Sequence, residues 1–93
     1  MAEYEIIPSP RFKRQLKKLP EEVQERIAQV ERLQRTTPFP QGYDIRKMKG
    51  ERKLWRIRLN TRHGSFRYVF LISHRERLII QKSIRLRKDV YRK

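Results

Sequence analysis

The chain has no cysteine in its 93 residues. That excludes a disulfide framework and any thiolate metal site, so packing must hold the fold, and a cytoplasmic setting fits best. Acidic residues are scarce too: 10 Asp and Glu stand against 25 Lys and Arg, giving a formal charge of +15 and a pI near 11.1. Such a balance says nothing about fold, but it favours fast, salt-sensitive association with a polyanion or a strongly acidic protein. No apolar run exceeds a few residues, where a membrane-spanning helix needs about 20, and the opening "MAEYEIIPSP" lacks the basic and apolar regions of a signal peptide. No membrane is expected among the partners. The two histidines, His63 in "TRHGS" and His74 in "ISHRE", sit in turn contexts and read as surface residues. They are not spaced with acidic residues to bind a metal, so neither a metal nor a cofactor is expected.

What remains is a chain able to bury one modest core, hence one domain over residues 1–93. Its apolar residues are 37% of the total and regularly spaced, which argues for a folded domain despite 38% charged residues. "EYEIIP" (3–8) reads as a first strand near a sheet edge, closed by Pro8. Ser9 offers an N-cap with Pro10 at the first helical position, and Phe12, Leu16 and Leu19 follow at helical spacing, predicting a basic helix over 10–19. Pro20 ends it and can open a second helix at N1, with Glu21 and Glu22 at the positive helix end. Val23, Ile27, Val30 and Leu33 form that helix's apolar stripe.

"TTPFPQGYD" (36–44) is a loop, and "IRKMKG" (45–50) a short strand closed by Gly50. "LWRIRLN" (54–60) alternates Trp55, Ile57 and Leu59 against Leu54, Arg56 and Arg58. "SFRYVFLIS" (65–73) sets Phe66, Tyr68 and Phe70 against Arg67, Val69 and Leu71, and "RLIIQKSIR" (77–85) is a further strand. A strand, two helices and then successive strands give an α+β fold: a helical hairpin on one face of a twisted, mostly antiparallel sheet of four to five strands.

Alternation puts Arg56 and Arg58 on one face, and Arg67 joins them if the strands meet as a hairpin around residues 60–64. Three guanidiniums would then face away from the helices and repel one another unless an anion or carboxylate lies between them. The plain alternative is a solvated outer sheet face. Lys47 and Lys49 read equally well as an edge strand's guard against sheet pairing. The closing "SIRLRKDVYRK" gathers Arg85, Arg87, Lys88 and Tyr91 around a single Asp89; Tyr91 could anchor a tail, stack on a base or transfer a proton.

In order and spacing, "FKRQLKKLPEEVQERI", "IRKMKG", "LWRIRL…GSFRYVF" and "IRLRKDVY" resemble the RelE/ParE superfamily of type II toxin–antitoxin toxins, its RelE branch more than its ParE branch. The resemblance runs over roughly residues 4–91. It implies a RelE-like fold and a metal-independent endoribonuclease that cleaves mRNA in the ribosomal A site by attack of a 2′-hydroxyl on the neighbouring phosphate, so inhibiting translation. It also implies a cognate acidic antitoxin, partly disordered, as partner beside mRNA and the ribosome. Carried over by position, Arg56 and Arg58 would contact the scissile phosphate and help handle the 2′-hydroxyl proton. Arg67 would stabilise the charge of the transition state, Arg85 would bind phosphate, and Tyr91 would stack on the base or move a proton. Lys47, Lys49, Arg62, Arg87 and Lys88 would bind RNA around them. RelE proteins often have lysines where this chain has Arg56 and Arg58, and arginine, with a pKa above about 12, is a poor general base. The general base is therefore open, with His63 as an outside candidate. The rival functions are a ParE-type poison of DNA gyrase and a non-catalytic RNA- or ribosome-binding module.

Overall fold

The computed structural model describes residues 3–50 and 53–86. Its elements are β1 (Glu5–Pro8), α1 (Pro10–Lys17), α2 (Glu21–Gln34), β2 (Asp44–Lys47), β3 (Leu54–Thr61), β4 (Gly64–Ser73) and β5 (Leu78–Leu86). They build one five-stranded sheet in the order β1-β5-β4-β3-β2 with both helices on one face. The three later pairings are antiparallel, whereas β1 joins β5 in parallel, Ile6 beside Ile79 and Ile7 beside Ile80. The α+β arrangement is thus the one its patterning implies, with the full five strands.

The β3–β4 hairpin turns on two residues, Arg62 and His63, between paired Thr61 and Gly64. Gly64 has φ +119°, so the backbone there calls for glycine, while a Cβ would meet only the end of the Leu86 side chain, 2.7 Å from its Cδ1. Thr61 Oγ1 secures the turn, donating to the Gly64 carbonyl and accepting from the His63 N–H, each at 3.0 Å.

On the helix side, Phe12 of α1 and Val23, Ile27 and Val30 of α2 close over an inward row of Ile57, Leu59, Phe66, Tyr68, Phe70, Ile79 and Ile84. Ser9 caps α1, accepting from the Phe12 N–H at 3.1 Å. Four local expectations are corrected. Helix α1 ends at Lys17 rather than Leu19, Pro20 stands one position before the first residue of α2, and β2 covers 44–47 rather than 45–50. Leu33 does not continue the apolar stripe: it is 45% exposed, and Gln34 is fully buried in its place.

The reason is Tyr68, whose buried hydroxyl needs a partner. It donates to Gln34 Oε1 at 2.8 Å, and Gln81 Nε2 reaches Glu31 Oε2 at 2.7 Å and the Tyr68 oxygen at 3.3 Å. Burial is the main cause that pushes the Tyr68 pKa well above the ordinary tyrosine value. No helix among the described residues is long and apolar enough to cross a membrane.

Candidate functional site

The other sheet face carries no helix, and there strand register sets the arginines in line. Asp44 on β2 pairs with Arg58 on β3, Arg58 with Arg67 on β4, and Arg67 with Arg85 on β5. Neighbouring strands lie about 4.8 Å apart, so the three arginine Cα atoms span roughly 10 Å. Arg56 is one step along the same face, opposite Arg46 on one side and Val69 on the other. A row of aliphatics, Leu54, Leu71, Ile80 and Ile7, crosses four strands further along this face.

Arg85 reaches this face through a bulge. Strand β5 pairs Gln81 with Phe70 and Ser83 with Val69, leaving Lys82 as an extra residue. Strict alternation from buried Ile79 would turn Arg85 toward the helices; the bulge instead buries Ile84 and frees Arg85 for the outer face. Ser9 donates to the Lys82 carbonyl at 3.2 Å, and the Ser9 N–H to the Gln81 carbonyl at 2.9 Å, so the start of α1 clamps the bulge.

The arginines are poorly compensated. Asp44 meets Arg46 at 3.3 Å and Arg58 at 3.8 Å, and among the described residues no carboxylate lies within ion-pair distance of Arg56, Arg67 or Arg85. Arg56 Nη1, Arg58 Nε and Arg67 Nε are buried with no hydrogen-bond acceptor. The Arg56 pKa lies below the ordinary arginine value, first through burial and then through the charge of Arg67, with Asp44 opposing. Crowded cations with three unsatisfied buried donors leave the row short of negative charge, which an anion with several oxygens at the accessible ends of these side chains would supply. Beside Arg67 and Arg85 opens a cavity of about 480 Å³, which reaches Lys82 and Arg11.

The other sequence candidates are scattered. Arg62 and His63 turn to the helix side, where both approach Glu22 Oε1 of α2, at 3.8 and 3.5 Å. Lys47 pairs with Trp55, on the opposite face from the arginine row, and lines a separate cavity with Trp55 and His74. Lys49 is exposed in the turn after β2. Arg87, Lys88 and Tyr91 lie outside the described residues. His74, read as a plain surface residue, is exposed but shares a hydrogen bond of 3.0 Å between its Nδ1 and the Tyr4 hydroxyl. Sequence reasoning passed over Asp44, Lys82 and Arg11. Asp44 belonged to a loop until strand pairing placed it opposite Arg58; the signal for Lys82 was the five-residue step from Ile79 to Ile84, which alternation cannot bridge.

Among the described residues no group of three or more His, Asp or Glu side chains is placed to hold a metal ion. Compared by sequence, the chain matches no family model and no curated protein. Compared by structure, it is similar to several solved toxins and complexes. One is a RelB–RelE antitoxin–toxin complex from Methanococcus jannaschii, with 24% identity, a TM-score of 0.74, and 91% of this chain and 94% of that chain covered. Another is an archaeal RelE–RelB complex from Pyrococcus horikoshii, with 20% identity, a TM-score of 0.72, and 90% and 94% covered. A third is the isolated E. coli RelE toxin, with 21% identity, a TM-score of 0.66, and 95% and 90% covered. Over nine-tenths of the chain, the fold is that of RelE toxins.

Proposed function

We propose that the protein is the toxin of a type II toxin–antitoxin pair, an endoribonuclease that cleaves mRNA held in the ribosomal A site. The observation that carries this reading is the row Arg58, Arg67 and Arg85, with buried N–H groups on Arg58 and Arg67 that lack acceptors. In this reaction the 2′-oxygen attacks the adjacent phosphorus and the bond to the 5′-oxygen breaks. A proton leaves the 2′-hydroxyl and another reaches the departing 5′-oxygen, giving a 2′,3′-cyclic phosphate and a 5′-hydroxyl. Negative charge grows on the phosphate oxygens on the way, and fixed cations aimed at it are the strongest aid a protein can offer. In this reading Arg67, paired with Arg58 and Arg85 on either side, would supply it, and Arg56 would hold the phosphate.

Proton transfer falls to other groups, because arginine stays protonated at any working pH. Tyr91 is the proposed participant, by stacking on the base or moving a proton. The antitoxin is proposed to be an acidic segment that neutralises the basic face, ordering itself as it binds. The solved proteins of this fold include complexes between RelE and RelB.

The test is toeprinting of a translated mRNA on ribosomes, wild type beside Arg67→Ala, with a gyrase cleavage assay in parallel. Cuts at A-site codons that vanish with Arg67→Ala support the reading. Intact mRNA with trapped gyrase–DNA complexes would replace it with gyrase poisoning, and silence in both assays would leave a basic binding module.

A further inference from the structure

The 480 Å³ cavity beside the arginine row combines cations with apolar walls. Arg11, Arg67, Lys82 and Arg85 all contribute to it, and no carboxylate does. Its remaining walls are largely apolar, with Met48, Leu54 and Val69 among them. Four cations around an apolar floor suit neither a simple anion, which wants no apolar wall, nor an apolar ligand, which wants no cations. A nucleotide wants both: a phosphate for the cations and a base whose faces pack on aliphatic and thioether groups. The volume falls within the range of about 300–1,000 Å³ typical of small-ligand sites.

We infer that this cavity is a subsite for the nucleotide one step beyond the two that flank the cleaved linkage, with Lys82 and Arg11 holding its phosphate and Met48 and Leu54 lying against its base. The inference rests on the ribonuclease reading, since Arg67 and Arg85 belong both to the row and to the cavity wall; a group in the cavity sits immediately beside a phosphate on the row. Two local features support the assignment of the phosphate. The bulge leaves Lys82 outside the regular β4–β5 pairing, on a backbone that Ser9 holds in place. Helix α1 begins at the cavity with Pro10 and Arg11 and has no acidic residue in its first turn, so its positive end is uncompensated there. A methionine wall adapts to different bases, so the subsite favours a nucleotide over an abasic position without choosing strongly among the four bases.

The test is equilibrium binding of the full chain to single-stranded RNA oligomers, with a 2′-O-methyl group at the linkage to be cut. A dinucleotide is compared with trinucleotides extended at the 5′ or the 3′ end, using wild type, Arg67→Ala and the double variant Arg11→Ala/Lys82→Ala. Both residues of the double variant are exposed, and thermal melting checks that it folds. One extension is expected to tighten wild-type binding about tenfold, as for one added phosphate and one packed base, and to shift the Met48 methyl resonance. The double variant should keep dinucleotide binding and lose most of that gain. An equal gain in the double variant, or a Met48 resonance that never moves, overturns the subsite while leaving the ribonuclease reading standing. Dinucleotide binding that is absent, or indifferent to Arg67→Ala, overturns the reading and the subsite together.

Discussion

Arg67 occupies a strand interior with an arginine directly opposite on each side. Like charges placed across a pair oppose each other by roughly 0.2–1 kcal/mol, so this residue works against the fold it belongs to. Replacing it should relieve the row: Arg67→Gln is expected to raise unfolding stability by about 0.5 kcal/mol at low salt, an advantage that fades as salt screens the pair. Urea unfolding at two ionic strengths measures this, and a clear loss of stability would mean that Arg67 is held for structure rather than for an anion. Tyr68 makes the opposite case of a polar group fully integrated into the core. Its pKa is raised in the folded state, so the stability from its neutral hydroxyl is complete below the unfolded value near pH 10 and is lost as pH climbs above it. Above pH 10 the wild type should lose about 1.4 kcal/mol per pH unit from this one group, and Tyr68→Phe should lack that component. Parallel slopes for both proteins in alkaline chemical denaturation would contradict it.

At the scale of elements, the bulge in β5 decides what the sheet presents. Deleting Lys82 would remove the extra residue and leave a regular ladder, with Ile84 still facing the core and Arg85 still opposite Arg67, at the loss of the Ser9 hydrogen bond to the Lys82 carbonyl. The cost should be about 1 kcal/mol, that of one hydrogen bond, since no side chain changes face. Lys82→Ala should stay within about 0.5 kcal/mol of wild type, because its side chain is exposed. Denaturation midpoints of the two variants check this, and a deletion that costs more than about 3 kcal/mol would mean that the bulge itself carries packing between β4 and β5. The same elements show how far the sequence could be read. Alternation in β3 and β4 named the inward residues and put Arg56, Arg58 and Arg67 together, because those strands pair without interruption across their length. It could not show that Arg58, Arg67 and Arg85 form one line, since register between distant strands depends on the bulge. Nor could helical spacing choose between Leu33 and Gln34, both acceptable continuations from Val30; a hydroxyl on β4, far off in sequence, made the choice. The parallel seat of β1 beside β5 likewise depends on partners more than 70 residues apart.

At the scale of the whole molecule, the charge of +15 is unevenly arranged. Four of the ten acidic residues, Glu21, Glu22, Glu25 and Glu31, lie on α2, on the helix side of the sheet. The opposite face carries the arginine row, where among the described residues Asp44 is the one carboxylate within ion-pair distance, so positive charge on that face exceeds negative. That excess suits steering toward a nucleic acid and toward an acidic inhibitor alike, both sensitive to salt. It also separates duties: the helices and the inward side chains hold the fold, which leaves the outer face free to bear cations that stability alone would not place there. The measurement that tests this account most directly is the single-turnover rate of cleavage of ribosome-held mRNA by wild type and Arg67→Ala. Loss of one fixed donor to a developing oxyanion should slow the step about 10²–10³-fold, with little change in the protein concentration needed for half-maximal rate. An unchanged rate, or a loss confined to that concentration, would contradict the assignment of Arg67 as the stabiliser of charge in the transition state.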